Sequence, residues 1–201
     1  MPNKLTGLFF GSFNPIHNGH LNIANYLIKE RYCSEIWFVV SPQNPLKKSS
    51  SLLDEKLRLK LVNKAIKGVE GLKSCDVEFN MVRPSYTIDT LHKLKLDFPN
   101  KEFALVIGED NLLNFKKWKS YEELLRNYVI FVYPRINLAF EENHLNNVDD
   151  DYIQKFKVER IKAPLAEVSS TQIRNKILRG DSIDSLVPSS IKSEIIKYYV
   201  K

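Results

Sequence analysis

The sequence predicts an α/β fold with a doubly wound parallel sheet, on the basis of two observations. Short apolar runs suited to buried strands alternate along the 201 residues with segments whose apolar residues recur at helical spacing. The run 103–108 is apolar at nearly every position, which is typical of a parallel strand covered on both faces. We therefore expect a Rossmann-like sheet with helices on both faces and with ligands at the carboxyl ends of its strands.

The individual elements follow in order along the chain. The run 5–10 is short and apolar enough for a buried first strand, and residues 21–28 continue at helical spacing. The segment 54–66 is predicted as a helix because four apolar residues share one face: Leu57, Leu61, Val62 and Ala65. Further strands are predicted at 35–40, 75–81, 103–108, 128–133 and 156–161, and further helices at 88–96, 121–126, 171–178 and 188–199. The acidic, Asn-rich residues 140–151 are predicted to be a surface excursion.

Length and composition fit one compact domain. A chain of 201 residues with 43% hydrophobic content can bury one core, so we expect a single domain over 1–201, with a helical C-terminal part from about residue 170. No apolar stretch has membrane-spanning length, and the N-terminus lacks a signal-peptide core. Cys33 and Cys75 show no motif spacing, which favours reduced thiols. We therefore expect a cytoplasmic protein without a membrane partner.

The formal net charge of +6 has three readings: nucleic-acid binding, polyphosphate ligands, or a lysine-rich surface. The basic residues are dispersed, without a block of Lys and Arg. We therefore expect no nucleic-acid partner, and the charge alone does not decide between the other two readings.

The segment 11–20, GSFNPIHNGH, lies between the first predicted strand and the first predicted helix. A strand, a turn rich in Gly and Pro, and a helix make a phosphate-binding corner, where backbone N–H groups and the helix N-terminus favour an anion. His17 and His20 are three residues apart, so both rings can face one anion. Zinc is the alternative for such a pair, but no Cys, Asp or Glu with ligand spacing lies nearby.

A second motif, SSTQIR at 169–174, has the form of a helix start. A hydroxyl N-cap and a polar first turn precede Ile173 and Ile177, which have helical spacing. Taken alone, the segment indicates no more than a capped helix.

Together the two motifs resemble the (H/T)xGH and SSTxIR signatures of the nucleotidyltransferase superfamily. Phe10 and Asn14 depart from its commonest form, which has Gly and Asp there, but both histidines and every specified SSTxIR position match. The resemblance implies that the histidines contact the phosphates of a nucleoside triphosphate and that no covalent enzyme intermediate forms. It implies these ATP-binding residues: Gly11, Ser12, Phe13, His17, His20, Gly108, Asp110, Ser170, Thr171 and Arg174.

The loop after the second strand is similar to a Pro-rich family segment that ends in a lysine over the phosphates. The match is loose, since Leu46 or Lys47 stands where the family often has His. We favour Lys47 over Lys48 as the phosphate-binding residue. The predicted catalytic set is therefore His17, His20, Lys47 and Arg174.

Two further segments, SYTIDTL at 85–91 and GEDNLLNFKKW at 108–118, resemble the bacterial nicotinate-nucleotide adenylyltransferases. By themselves, Asp110 could be a helix cap and Trp118 ordinary helix packing. The resemblance implies that backbone amides of the first segment hold a carboxylate while Trp118 stacks on a pyridine ring. The implied acceptor-binding residues are Asn14, Lys47, Ser85, Tyr86, Thr87, Trp118 and Arg135.

The function expected from this resemblance is transfer of AMP from ATP to nicotinate mononucleotide, which gives nicotinate adenine dinucleotide and pyrophosphate. The acceptor phosphate is already ionised, so positioning and charge neutralisation would suffice without a general base. Mg²⁺ is expected to ride on the ATP phosphates, because the sequence shows no carboxylate cluster to hold it.

Other functions are weighed against this one. A sister transferase acting on phosphopantetheine or nicotinamide mononucleotide would share both signatures, and SYTIDTL with Trp118 disfavours it. A regulatory module with inactive chemistry is disfavoured by the intact histidine pair, and a nucleic-acid binder by the dispersed charge. The sequence leaves homo-oligomerisation open.

Overall fold

Six parallel strands form one sheet in the order β3-β2-β1-β4-β5-β6. The computed structural model describes residues 4–42, 52–135, 156–165 and 168–200. The strands are β1 Leu5–Gly11, β2 Glu35–Val40, β3 Leu72–Cys75, β4 Glu102–Gly108, β5 Val129–Tyr133 and β6 Val158–Arg160. The α/β prediction with a doubly wound parallel sheet is thereby confirmed.

The helices are α1 Asn18–Lys29, α2 Glu55–Ala65, α3 Thr87–Asp97, α4 Glu109–Leu113, α5 Tyr121–Asn127, α6 Ser170–Arg179 and α7 Ser189–Tyr199. Helices α1 to α5 lie between successive strands from β1 to β5, as parallel pairing requires, and α6 and α7 follow β6. Short 3₁₀ turns lie at Val77–Asn80 and Phe115–Lys117. In the described part of the chain, no helix combines the length and apolarity needed to cross a bilayer.

The sheet is buried on both faces, because each strand alternates its side chains between two cores. One core packs Phe9, Phe38, Val106 and Phe131 against residues of α1, α2, α6 and α7. The opposite core packs Leu8, Val39, Leu105 and Ile130 against residues of α3 and α5. Near-continuous apolar strands such as β4 follow from this double coverage.

The strand order reverses between β1 and β4, which are neighbours in the sheet. From β1 the chain proceeds to β2 and β3 on one side, and from β4 to β5 and β6 on the other. Such a reversal opens a crevice at the carboxyl ends of the two central strands. Gly11 ends β1 and Gly108 ends β4, so the motifs that follow these strands meet at this crevice.

The predicted strand at 75–81 is wrong, whereas the other predicted elements agree with the structure to within three residues at each end. β3 lies at the sheet edge and pairs with β2 only from Leu72 to Cys75. Beyond that register no strand among the described residues pairs with the chain, which forms the 3₁₀ turn that buries the Glu78 side chain. The acidic segment 140–151 lies outside the described residues.

Candidate active site

The turn after β1 is shaped around Phe13. A Cβ at Gly11 would lie 2.9 Å from the Phe13 ring, so only glycine lets this ring fold back over the strand end. Phe13 has φ 45°, a left-handed conformation that side chains rarely adopt. Its ring is 2% exposed. Of the residues predicted to bind ATP, Phe13 therefore offers only its backbone.

His17 and His20 stand together at the start of α1. His17 caps the helix, and the two rings stack with centroids 3.6 Å apart and planes 24° apart. Nδ1 of His20 accepts a hydrogen bond from the backbone N–H of His17 at 3.3 Å. A neutral His20 therefore carries its proton on Nε2, which is the donor that can face a ligand.

Burial keeps both histidines neutral at neutral pH. It lowers the pKa of His17 to about 3, with a smaller effect from the Arg135 charge. Burial also lowers the pKa of His20 well below its usual value, with contributions from His17 and Arg135. Nδ1 of His17 is buried and has no hydrogen-bond partner among the residues that the structure describes. An unpaired buried nitrogen of this kind is costly unless a ligand satisfies it.

The N-terminus of α6 packs directly against the β1–α1 turn. Ser169 caps the helix by accepting from the Gln172 backbone N–H at 3.2 Å. Ser170 Oγ donates to the Pro15 carbonyl at 2.8 Å, and Arg174 Nη1 donates to the Asn14 carbonyl at 2.7 Å. Arg174 Nη2 also reaches Thr171 Oγ1, at 3.1 Å. The two signature motifs, about 150 residues apart in the chain, therefore form one site.

Asn14 links this turn to two other parts of the chain. Its side-chain oxygen accepts from the Leu53 backbone N–H at 3.1 Å and from the Tyr199 hydroxyl at 2.5 Å. The residue is 5% exposed. The sequence predicted Asn14 to contact the acceptor, but in the structure its oxygen already has two donors.

Gly108, Asp110 and Arg135 form the other side of the crevice. A Cβ at Gly108 would lie 2.4 Å from Asp110 Oδ1 and 3.0 Å from Arg135 Cδ, so the glycine makes room for this pair. Arg135 Nη1 lies 3.2 Å from Asp110 Oδ2, and the Arg135 backbone N–H donates to Glu109 Oε2 at 3.3 Å. Asp110 Oδ1 is buried without a partner among the described residues.

The predicted acceptor segments also come together. Tyr86 caps α3 and is 37% exposed, and the Lys119 ammonium lies 5.0 Å from the centre of its ring. Lys119 also pairs with Asp89 at 2.8 Å. Trp118 packs on Phe115 with ring centroids 5.0 Å apart and keeps part of its surface exposed. Lys119 therefore ties the tryptophan segment to the start of α3.

Sequence reasoning missed two buried charged residues. Glu78 is 3% exposed and accepts from Ser85 Oγ at 3.0 Å and from Thr90 Oγ1 at 2.8 Å, so the Ser85 proton is already engaged. Arg58 has no exposed surface. The signal for Arg58 was its place on the apolar face of α2, one turn before Leu61 and Val62. Lys47 and Lys48 lie outside the described residues.

The carboxylates at the crevice fit a magnesium ion held mainly by a substrate. Among the described residues, no three His, Cys, Asp or Glu side chains cluster in a way that could hold a metal. Of the two carboxylates described here, Glu109 accepts from the Arg135 backbone N–H, while Asp110 has one paired and one unpaired oxygen. One carboxylate suits Mg²⁺ that takes its remaining ligands from phosphates and water.

A doubly wound sheet with helix N-termini meeting at its switch point is typical of nucleotide-binding α/β proteins. The chain belongs to the cytidylyltransferase-like family, whose model matches residues 8–176, and within it to the nicotinate-nucleotide adenylyltransferases. It is 45% identical to a probable nicotinate-nucleotide adenylyltransferase of Flavobacterium psychrophilum, over 92% of this chain and 92% of the relative. It is 39% identical to one from Bacteroides fragilis, over 98% and 94% of the two chains.

A solved structure supports the fold. The Plasmodium falciparum nicotinic acid mononucleotide adenylyltransferase, complexed with NaAD, superposes with a TM-score of 0.76 over 98% of both chains. At 21% sequence identity this likeness concerns the fold alone.

Proposed function

We propose that this chain transfers AMP from ATP to nicotinate mononucleotide, releasing pyrophosphate and forming nicotinate adenine dinucleotide for NAD biosynthesis. The observation that carries the proposal is the meeting of a neutral, stacked histidine pair with Arg174 and the α6 N-terminus at the switch point. Imidazole N–H groups, a guanidinium and helix N–H groups are donors that suit a triphosphate, which supports the proposal.

At the ATP end, Nε2–H of His20 is the main neutral donor, and the unpaired Nδ1 of His17 gains a partner when phosphate or its water arrives. Arg174 has donors beyond those already directed at Asn14 and Thr171. The backbone of Gly11, Ser12 and Phe13 and the hydroxyl of Thr171 complete the contacts. Ser170, whose hydroxyl donates to the Pro15 carbonyl, contributes its backbone N–H at the start of α6. Gly108 gives the nucleotide close access, and Asp110 accepts from sugar hydroxyls.

The reaction is an in-line displacement. An oxygen of the acceptor 5′-phosphate forms the new bond to the α-phosphorus of ATP, while the bond from that phosphorus to the bridging oxygen of pyrophosphate breaks. The attacking oxygen is already deprotonated, so no protein base is required. His20 and Arg174 hydrogen-bond the charge that develops on the α-phosphate and on the leaving pyrophosphate.

Lys47 and Mg²⁺ belong to the proposal on the strength of the family resemblance. Lys47 would neutralise phosphate charge, while Mg²⁺ bound to the phosphates would supply Lewis-acid polarisation of their oxygens. Asp110, which keeps one buried oxygen without a partner among the described residues, would contact this ion.

At the acceptor end, the free N–H groups that open α3 at Tyr86 and Thr87 suit the nicotinate carboxylate. Trp118 offers its exposed ring for stacking on the pyridine. Arg135 is placed to meet the acceptor phosphate. Ser85 and Asn14 contribute by holding their loops, since their polar atoms are engaged by Glu78, Leu53 and Tyr199.

Two further expectations remain predictions: a cytoplasmic location, and no nucleic-acid or membrane partner. Whether the chain forms a homo-oligomer is left open by the sequence. Cys33 and Cys75 are free thiols, which fits the expected cytoplasmic location. Burial raises the pKa of each, to about 12 and about 11, so neither is a reactive thiolate at neutral pH.

The decisive experiment offers Mg-ATP with nicotinate mononucleotide, nicotinamide mononucleotide or phosphopantetheine, in separate reactions, and measures pyrophosphate release. We expect turnover with nicotinate mononucleotide at least about tenfold above the others, because a carboxylate pairs with helix N–H groups better than a neutral amide does. Preference for another acceptor would overturn the substrate assignment but keep the phosphate site. No release with any acceptor would overturn the transferase function.

The stacking role of Trp118 is tested separately. Trp118→Ala should raise the KM for nicotinate mononucleotide about tenfold, the loss expected when an aromatic platform is removed. The kcat and the KM for ATP should change little, and Trp118→Phe should restore most of the affinity. An unchanged KM for the mononucleotide would assign Trp118 to packing on Phe115 alone.

A further inference from the structure

Arg58 is an arginine inside the protein, with no exposed surface. Its Nε donates to the Leu53 carbonyl at 2.8 Å, before α2 begins. Nη1 donates to the carbonyls of Ser12 at 2.5 Å and Ser41 at 2.8 Å, and Nη2 donates to the Pro42 carbonyl at 2.9 Å. One side chain therefore joins the β1–α1 turn, the chain after β2 and the segment that precedes the N-cap of α2.

This arrangement is more than general packing. The described partners of the guanidinium are backbone carbonyls, and burial lowers its pKa. A buried charge is expensive to keep unless its hydrogen bonds are satisfied. The planar fork satisfies four carbonyls on three segments at once, which a lysine ammonium on the same helix could not do.

The segment that Arg58 holds leads to Phe13. Ser12 is fixed on one side through its carbonyl. Asn14 is fixed on the other side, where Arg174 takes its carbonyl and Tyr199 its side chain. Phe13 lies between them at φ 45°. A conformation of this kind persists only where the surroundings hold it on both sides.

The Phe13 ring in turn contacts the His20 ring. The two rings meet edge to face, with centroids 5.1 Å apart and planes 78° apart. Phe9 makes a similar contact with His20 at 5.7 Å. The imidazole therefore packs against an aromatic ring whose neighbouring residue, Ser12, is held by Arg58.

We propose that Arg58 is a positioning residue for His20 and acts through Ser12 and Phe13. Loss of the fork releases the left-handed turn, the Phe13 ring moves, and Nε2 of His20 no longer points at the phosphate. This inference rests on the proposed phosphate role of His20, and it assigns Arg58 no contact with substrate.

The test compares Arg58→Lys, which keeps the charge but loses the fork, with the wild-type chain. The first readout is the imidazole ¹⁵N spectrum of the apo protein, in which His20 should shift and His92, on the exposed face of α3, should not. The second is steady-state kinetics: kcat should fall about ten- to a hundred-fold, as for a displaced catalytic group, with the KM for nicotinate mononucleotide within about twofold.

Phe13→Leu is the second variant, since it leaves Arg58 intact and removes only the ring that faces His20. It should move the same His20 resonance and lower kcat. Lys56→Met, at an exposed position on the same helix, should change neither. If Arg58→Lys folds and its His20 resonance keeps the wild-type position, the proposal is overturned. If Arg58→Lys does not fold, the same result in Phe13→Leu overturns it. Because the spectra need no turnover, failure of the wild type on nicotinate mononucleotide would overturn the proposed function and leave this result readable.

Discussion

The two ends of the sheet treat their polar side chains in opposite ways. At the carboxyl end, His17 and Asp110 each keep a buried atom without a partner among the described residues, and Phe13 holds a left-handed backbone. At the amino end, Glu35 opens β2 and accepts from Thr6 at 2.9 Å, from Lys101 at 2.5 Å and from Lys73 at 2.8 Å. His17 and Asp110 therefore keep polar atoms available to a ligand, whereas the Glu35 carboxylate is satisfied by partners within the fold.

The pKa values record the same contrast. At the carboxyl end burial dominates, and it lowers the pKa of His17 to about 3. At the amino end burial alone would raise the pKa of Glu35, but hydrogen bonds from Lys101, Lys73 and Thr6 outweigh it and lower the pKa to about 2. The ammonium groups of these two lysines also lie 5.5 and 5.8 Å from the centre of the Trp37 ring. Burial without a compensating partner therefore sets the pKa of His17, whereas charged hydrogen-bond partners set that of Glu35.

The largest expected effect is a loss of turnover when a histidine at the carboxyl end of the sheet is removed. His20→Ala removes a preorganised donor and should lower kcat by more than about tenfold, since losing one such donor costs about 3–4 kcal/mol in the strongest cases. Because the His20 ring also packs against Phe9, Phe13 and His17, some loss of thermal stability is expected, and turnover is measured below the melting transition of the variant. Kinetics and a melting curve, with His92→Ala as the matched control, check this. Normal turnover in His20→Ala would end the assignment of this histidine to the phosphates.

As pH falls, the carboxyl end of the sheet should lose its contribution to folding stability before the amino end does. The pKa of His17 is lower in the folded chain than in the unfolded one, so the unfolded chain takes up a proton first and stability falls as pH drops from about 6.5 toward 3. Between pH 7 and pH 5 this costs about 2 kcal/mol for His17. Urea unfolding at both pH values measures it, and His17→Asn should lose that increment. An identical pH dependence in the variant would contradict the shifted pKa.

The smallest expected effect is at the amino end. The folded-state pKa of Glu35 lies below the ordinary value of 4.5, so its stabilisation is present above that pH and is lost as pH falls from 4.5 toward 2. Glu35→Gln should destabilise the chain by about 1–2 kcal/mol at pH 7, the range of a few charge-assisted hydrogen bonds to partly exposed lysines. Turnover should stay at the wild-type level. A variant that unfolds normally but turns over slowly would show that the two ends are coupled.

Much of the fold followed from local patterns. The helical spacing of residues 54–66 and the apolar run 103–108 predicted α2 and β4, because each element must bury one face or both. The strand predicted at 75–81 failed for a reason that no local pattern carries. Whether those residues extend the sheet depends on how far β2 offers them a partner, and that pairing ends at Cys75.

The site divides along the same line. The sequence by itself determined the alternation of strands and helices and the chemistry of its motifs: His17, His20 and the SSTQIR segment carry donors that suit phosphate wherever they lie. Only the tertiary structure decided that α6 packs on the Asn14–Pro15 turn and that the Ser85 hydroxyl donates a hydrogen bond to Glu78. It also decided that the buried Arg58 side chain joins three segments of the chain. The physical reason is that burial and hydrogen-bond partners are long-range properties. A side chain's type fixes what it can donate, while the neighbours that folding brings to it decide where that donor points and whether it remains free for a ligand.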